Sequence, residues 1–350
     1  MFKKKNHLIG LDIGSRAIKV GEIIETRSGN RLENFGVMDI ASGLIEEGMI
    51  KKPEAIANAI RQLLAEQKIR EQNVAISIGG YSVIVKKITM DMMEEKRLQE
   101  SIHFEAEQYI PFDINDVNID FHVIGESQNN PNKIDVLLIA AKKALVNDYV
   151  DLIQMAGLNP CIIDVDAFAL QNIFELNYIT EGEGVALIDV GASKTSLNIL
   201  KENVSLFTRD ISLGCGQIDQ KIAALVNCNY DEAEKIKKDG QADIISTNDL
   251  REIISTVGTD WSAEIRRALD FFYSTYPDEQ IKRIFLSGGG AYIVEFHNLL
   301  SREASAEVET FNPFGNLTIN NDRIDSGFLE KVAPQAAICL GLSLRRVDDK

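Results

Sequence analysis

The sequence predicts a two-lobed α/β protein whose first lobe carries a small α/β insert. Its 350 residues exceed what one ordinary hydrophobic core holds and suit two lobes of medium size. A short pattern with an aspartate, a glycine and small polar residues occurs twice, about half a chain apart. Between the two copies, residues 82–161 show strand and helix patterns in the order β-α-β-β-α, which is typical of a small α/β subdomain.

Composition and charge narrow the class of protein. Hydrophobic residues make up 45% and charged residues 26% of the chain, as in folded proteins without long disordered tracts. The net charge of −16 disfavours nucleic acid and anionic lipid as direct partners. No apolar run suits a signal peptide or a membrane span, and the four cysteines form no CxxC pair. Because Lys3, Lys4 and Lys5 contribute only about 1 kcal/mol each to membrane attraction, we expect a cytoplasmic protein that reaches the inner membrane only through partners.

The repeated pattern is Leu11-Asp12-Ile13-Gly14-Ser15 in its first copy and Ile188-Asp189-Val190-Gly191-Ala192-Ser193 in its second. An apolar run precedes each aspartate and a second apolar strand follows each glycine, which predicts two β-hairpins with tight turns. Glycine and serine let backbone N–H groups approach phosphate oxygens, and an aspartate at the strand end can hold a hydrated Mg²⁺. One copy alone is more often an ordinary hairpin turn. Repetition at half-chain spacing favours a pair of turns that clamp a triphosphate.

Three consecutive glycines, Gly288, Gly289 and Gly290, form a third element. They follow an apolar strand pattern and precede an amphipathic helix pattern. Bare backbone at such a strand-to-helix turn lets an adenosine lie against it. By itself, the triplet would equally suit a flexible connector.

In this order, the two hairpins and the glycine triplet resemble the phosphate 1, phosphate 2 and adenosine motifs of the actin-like ATPase superfamily, which includes actin, sugar kinases and the cell-division protein FtsA. The resemblance covers the whole chain and implies a two-lobed, ribonuclease H-like fold that binds ATP and Mg²⁺. It implies two connecting helices at the hinge, at Asp164 to Glu175 and at Ala333 to Leu344. The implied domains are the first-lobe core (1–81, 162–180 and 325–350), the insert (82–161), the second-lobe core (181–213 and 281–324) and a helical subdomain of the second lobe (214–280).

The resemblance also implies roles for single residues. Asp12 and Asp189 are expected to hold Mg²⁺ through its waters. The residues expected to contact the nucleotide are Gly14, Ser15, Lys19, Gly191, Ser193, Thr195, Gly214, Gly216, Glu234, Lys237, Gly288, Gly289 and Gly290. Two alternatives stay open, since Lys19 also suits a solvated edge strand and the pair Glu234 and Lys237 also suits an exposed helix face.

The resemblance implies that, if this protein hydrolyses ATP, a carboxylate or amide at the first connecting helix positions the attacking water. Asp164 and Asp166 are the candidates, together with the amide of Gln171. Asp166 also suits the N-cap of a helix that begins near Ala167. Lys194 stands in the second turn, where many relatives of the superfamily have a small residue, so the phosphate contacts there stay open. We expect at most a slow ATPase.

The insert and three short stretches narrow the superfamily to one family. FtsA and PilM proteins carry an insert of this kind, and residues 105–112, 156–158 and 163–170 resemble the type IV pilus assembly PilM family in particular. That resemblance implies a cytoplasmic scaffold that binds the cytosolic N-terminal peptide of PilN and links it to the motor ATPases. Self-association into a ring or filament is compatible with it.

Tyr109, Ile110, Pro111 and Phe112 are expected to help bind that peptide. Pro111 ends a helix and leaves aromatic and aliphatic side chains on the following turn. An extended peptide would insert alternate side chains into a groove lined by such residues. Ordinary core packing is the alternative for each of them.

Two other functions are weighed against the scaffold. A sugar or acetate-type kinase needs an acceptor cleft with a catalytic aspartate and several polar residues, and the sequence shows no such cluster. An FtsA-like cell-division protein would end in a membrane-binding amphipathic helix, whereas this sequence ends in charged residues. The scaffold is therefore the preferred interpretation.

Overall fold

The computed structural model describes residues 7–127, 130–180, 182–240, 243–347 and 349. Lys3, Lys4 and Lys5, for which a marginal membrane attraction is expected, lie outside these residues. The strands are β1 (Ile9–Ile13), β2 (Ala17–Thr26), β3 (Gly29–Asp39), β4 (Ile45–Glu46), β5 (Met49–Ile50), β6 (Asn73–Ile78), β7 (Val83–Asp91), β8 (Val117–Glu126), β9 (Lys133–Lys142), β10 (Asn159–Val165), β11 (Gly184–Val190), β12 (Thr195–Lys201), β13 (Val204–Ile211), β14 (Ile281–Ser287), β15 (Glu307–Thr310) and β16 (Thr318–Ile319). The α-helices are α1 (Pro53–Glu66), α2 (Glu95–Ala106), α3 (Lys143–Met155), α4 (Asp166–Asn177), α5 (Gly216–Val226), α6 (Tyr230–Asp239), α7 (Thr247–Thr275), α8 (Val294–Ala304), α9 (Ser326–Val332) and α10 (Ala337–Ser343).

Two sheets of the same plan form the two lobes. The first has the order β10-β6-β1-β2-β3-β16 and the second the order β13-β12-β11-β14-β15. In each sheet an antiparallel hairpin, β1-β2 or β11-β12, lies beside a parallel strand, β6 or β14. The two predicted hairpins are therefore confirmed. Strands β1, β6 and β11 are buried along almost their whole length, because elements cover both faces of each sheet.

Helices α4 and α10 lie together between the two sheets, as predicted for the connecting helices. Gly341 of α10 allows this close crossing, since a Cβ there would overlap the backbone carbonyl of Ala169 in α4. The bounds differ from the prediction at both N-termini. Residue Asp164 still belongs to strand β10, and Ala333–Ala336 form a 3₁₀ turn before α10 begins.

The insert has the predicted β-α-β-β-α order, with a three-stranded sheet in the order β7-β9-β8. Helix α2 covers this sheet through Leu98 and Ile102. Helix α3 instead packs its Leu152 and Ile153 into the first-lobe core, together with Ile60 of α1. Periodicity shows that a helix has an apolar face but not which core receives it, so the sequence did not predict this packing of α3. The bounds of the insert stay a prediction.

One strand that was assigned to the second lobe belongs to the first sheet. Strand β16 lies within the range predicted for the second-lobe core, but it pairs with β3 at the edge of the first sheet. Helices α5, α6 and α7 cover the outer side of the second sheet, with Trp261 and Phe272 of α7 fully buried there. Among the described helices, none is both long and apolar enough to cross a bilayer.

Candidate nucleotide-binding site

A cleft of about 680 Å³ lies between the two lobes. Both hairpin turns line it, together with the turn after β14 and the inner face of α6. Its volume falls within the range of small-molecule and cofactor sites. The chain therefore brings its three predicted glycine-containing motifs to one cavity.

In the first hairpin, the aspartate at the end of β1 is neutralised by its own hairpin. Asp12 lies opposite Lys19 in the strand register, and the Lys19 ammonium donates to Asp12 Oδ2 at 2.9 Å. Burial alone would lower the pKa of Lys19, but the Asp12 carboxylate outweighs it and the pKa is raised. The lysine is thus a charged cleft residue on an inner strand, and the alternative of a solvated edge strand is excluded.

The second hairpin offers its aspartate no such lysine. Asp189 lies opposite Ser196 in the register and accepts a hydrogen bond of 2.8 Å from Ser287 Oγ on β14. Burial raises the pKa of Asp189 to about 6, the Ser287 hydrogen bond opposes this rise, and the Asp12 charge adds to it. The two turns face each other across the cleft, since Ser15 Oγ donates to Ser193 Oγ at 3.1 Å.

The donor set at the facing strand ends fits a magnesium ion. Mg²⁺ keeps several waters and usually takes one or two carboxylates together with substrate phosphates. A cluster of three or more acidic, histidine or cysteine ligands is absent from the described residues, which this mode of binding does not require. Asp189 is the observation that favours a cation: it is a half-buried carboxylate with a raised pKa, and it forms no ion pair with the described residues. Asp12 and Asp189 are the residues that would hold the ion.

The glycine triplet divides into two roles. Gly288 has a φ of 78°, and a Cβ there would lie 2.5 Å from the Val190 carbonyl oxygen. A Cβ on Gly290 would overlap the Val190 side chain, and Gly290 does not line the cleft. Only a Cβ on Gly289 would meet open space. Two of the glycines thus let the turn pack on β11, and Gly289 leaves room on the cleft side.

Gly214, Gly216 and Thr195 support the second phosphate turn from outside the cleft. Cβ atoms on the two glycines would lie 2.6 and 2.9 Å from the Ala192 backbone oxygen, and the Gly216 N–H donates to that oxygen. Thr195 is buried and its hydroxyl donates to the Leu213 carbonyl. None of the three lines the cavity.

Helix α6 presents both predicted residues to the cleft. Lys237 pairs with Asp219 of α5 at 2.6 Å. Glu234 accepts from Arg16 Nε at 2.9 Å, and Arg16 also donates to Asp231 at 2.7 Å. Arg16 therefore ties the first turn to α6 and narrows the cleft mouth. The sequence analysis did not predict a role for Arg16, although its position directly after Ser15 in the first turn could have indicated one.

Only one of the predicted water-positioning residues faces the cleft. Asp166 lines it, with Oδ1 accepting from Ser77 Oγ at 2.5 Å and Oδ2 from Lys194 Nζ at 2.5 Å. The N-cap interpretation of Asp166 is wrong, because Val165 is the N-cap and the Asp166 side chain bonds across the cleft. Asp164 lies outside the cavity and pairs with Arg345 at 2.9 Å.

Burial raises the pKa of Asp164, and the Arg345 guanidinium opposes that rise. Gln171 also lies outside the cavity, where it donates to Glu175 Oε1 and to the Asn203 carbonyl. A water-positioning role is therefore retained as a hypothesis for Asp166 alone.

The expected peptide-binding residues lie just beyond α2, on the insert. Ile110 is 6% exposed and belongs to the insert core, so the core-packing alternative holds for it. Tyr109 and Phe112 are half-buried, with the ammonium groups of Lys86 and Lys142 at 4.8 and 4.2 Å from the ring centroids. Pro111 is exposed.

Comparison with known families identifies the group to which the chain belongs. Residues 10–347 match the model of the family described as type IV pilus assembly protein PilM. The chain belongs to the PilM family. A solved PilM–PilN type IV pilus biogenesis complex has a PilM-like chain that is 27% identical, with a TM-score of 0.87 over 99% of this chain and 100% of that one. Family membership connects this protein to type IV pilus assembly and confirms the sequence-based assignment.

More distant relatives share the fold. EutJ from Carboxydothermus hydrogenoformans is 13% identical, with a TM-score of 0.60 over 98% of this chain and 90% of EutJ. MreB5 of Spiroplasma citri, solved with AMPPNP, is 12% identical, with a TM-score of 0.54 over 97% of this chain and 95% of MreB5. The predicted actin-like fold is confirmed. FtsA of Bacillus subtilis is 24% identical to this chain over 72% of the chain's length. The match spans only 62% of the length of FtsA.

Proposed function

We propose that this PilM-family protein is a scaffold of the type IV pilus assembly platform that holds Mg·ATP between its lobes. The observation that carries the nucleotide part is the pair of facing aspartate hairpins, in which the half-buried Asp189 forms no ion pair with the described residues. A bound Mg²⁺ would supply that positive charge and neutralise phosphate oxygens. The same fold holds AMPPNP in MreB5.

The cleft residues divide the work of nucleotide binding. Backbone N–H groups of the two turns, at Gly14, Ser15, Gly191 and Ser193, would contact the phosphates. Room at Gly289 suits the adenosine. Glu234 and Lys237 would face the ribose from α6, and opening of the Arg16 contacts would admit the nucleotide.

The proposed protein partner is the cytosolic N-terminal peptide of PilN. Its support is the likeness to the PilM–PilN complex over the whole chain. We propose that the protein works in the cytoplasm, attached to the inner membrane through PilN, and that it links PilN to the motor ATPases, with self-association into a ring or filament as part of the platform. An extended peptide would bind near Tyr109, Pro111 and Phe112, as an added strand does in peptide-binding sheet domains.

Two titrations test these proposals separately. Calorimetry with ATP in Mg²⁺ and again in EDTA should show binding in Mg²⁺ only, and no heat in either condition would overturn the nucleotide part.

A synthetic PilN N-terminal peptide should bind the wild type and bind Phe112→Ala at least about tenfold more weakly, because one aromatic contact in the interface is lost. Phe104→Ala is the matched control, because Phe104 is an exposed phenylalanine on the same insert. Equal effects of both substitutions would exclude Phe112 from the peptide site.

A further inference from the structure

The cleft contains a lysine that belongs to one lobe and is bonded to the other. Lys194 ends the second phosphate turn, and its ammonium lies 2.5 Å from Asp166 Oδ2 on α4 of the hinge and 3.3 Å from Asp210 Oδ2 on β13. A Cβ on Gly79 would overlap this ammonium, so the lysine lies against bare backbone of the loop after β6. The N–H of Gly80 in the same loop donates to Asp210.

The internal repeat shows that this lysine is differently placed from its counterpart. Lys19 lies opposite Asp12 and neutralises the aspartate of its own hairpin. At the equivalent place in the second hairpin stands Ser196, and Lys194 precedes it in the turn. Burial alone would lower the pKa of Lys194, but Asp166 and Asp210 raise it above its ordinary value. The second hairpin thus directs a permanent positive charge across the cleft.

Asp166 is the carboxylate that this charge restrains. In hydrolysis of ATP, a water oxygen bonds to the γ-phosphorus, the bond from that phosphorus to the bridging oxygen of ADP breaks, and the water proton passes to an acceptor. Asp166 is the cleft carboxylate expected to position that water, and one of its oxygens accepts from Ser77 while the other accepts from Lys194.

We infer that Lys194 is a positioning residue that holds Asp166 away from the attacking water and so makes the protein retain ATP rather than hydrolyse it. This inference rests on the proposed nucleotide binding and deepens it. A nucleotide that stays intact keeps the two lobes bridged, which is the state a scaffold needs. Replacing Lys194 would free Asp166 from this restraint, whereas a substitution at the far end of β12 would not.

Single-turnover release of phosphate from ATP, measured beside the dissociation constant for ATP, tests the inference. Lys194→Met should raise the hydrolysis rate at least about tenfold, a fraction of what positioned proton acceptors contribute, while the dissociation constant changes less than about threefold. The double variant Lys194→Met, Asp166→Asn should return to the wild-type rate. Lys201→Met is the matched control, because Lys201 ends β12, the strand that begins directly after Lys194, lies outside the cleft and pairs with Glu279 at 2.6 Å.

Each other outcome is decisive. An unchanged rate in Lys194→Met, or a gain that survives Asp166→Asn, overturns the inference. Weaker ATP binding without faster hydrolysis also overturns it and makes Lys194 a phosphate ligand. Failure of the wild type to bind Mg·ATP overturns the proposed function itself, which the binding measurement reveals independently. If Lys194→Met does not fold by circular dichroism, Lys194→Ser keeps a polar side chain there that is too short to replace the ammonium, and it carries the same expectations.

Discussion

The two phosphate hairpins have the same backbone plan but opposite electrostatics. Asp12 and Asp189 both end a central strand, and each lies beside a parallel strand of its sheet. The first aspartate is paired with Lys19 of its own hairpin, whereas the second accepts from the Ser287 hydroxyl and forms no ion pair with the described residues. The repeated hairpin therefore does not repeat its electrostatics. A lysine of the same hairpin neutralises Asp12, whereas Asp189 would be neutralised by a bound cation.

The largest effect should come from removing the aspartate that has no lysine. Asp189→Ala should weaken Mg·ATP binding by at least about 1,000-fold, roughly 4 kcal/mol, because phosphate charge is then left without its metal. Calorimetry in Mg²⁺ measures this. Asp270→Ala, which removes an exposed carboxylate on α7, should bind as the wild type does. If Asp189→Ala binds Mg·ATP as tightly as the wild type, the electrostatic difference between the two hairpins does not affect nucleotide binding.

Next in size is the loss of the lysine that neutralises the first hairpin. Lys19→Met should destabilise the ligand-free protein by about 3 kcal/mol in urea unfolding at pH 7, because a largely buried carboxylate loses its partner. The exposed pair of Lys133 and Asp91 provides the control, and Lys133→Met should cost less than about 1 kcal/mol. Similar losses for both variants would mean that Asp12 is not neutralised within its hairpin.

Bound nucleotide should stabilise the protein by a comparable amount. At a free ATP concentration 100 times the dissociation constant, the added stability is about 2.7 kcal/mol, which raises the melting temperature by about 3 °C. A thermal melt with and without Mg·ATP measures the shift. Asp189→Ala should show no shift, and an equal shift in that variant would contradict a site shared by both hairpins.

The smallest effect concerns the pH dependence of the ligand-free protein. Since the pKa of Asp189 is raised from 3.8 to about 6, the folded state holds a proton that the unfolded state has lost between these values, and stability falls as pH rises from 4 to 6. Asp189→Asn should remove this fall and stabilise the protein by roughly 2 to 3 kcal/mol at pH 8. Urea unfolding in EDTA from pH 4 to 8 tests it, and a steeper fall in the variant would be contrary to a raised pKa.

Local patterns in the chain were sufficient to predict most of the elements. Alternating and continuous apolar runs predicted the strands of both hairpins, and the order β-α-β-β-α predicted the insert. They did not predict that α3 leaves the insert for the first-lobe core, or that Asp164 pairs with Arg345 while Asp166 faces the cleft. Asp164 and Asp166 have the same local sequence pattern. They differ only in the direction in which each side chain leaves the end of β10, and the sequence does not show that direction.

The sequence by itself determined the repeated turns, the order of the motifs and the family, because these depend on residues close together in the chain. Tertiary structure decided which charges meet. Lys194 and Asp166, like Arg16 and Glu234, are distant in sequence and become partners only in the folded two-lobed structure. The Coulomb energy of such pairs depends on a distance through space, and no local pattern of residues encodes that distance.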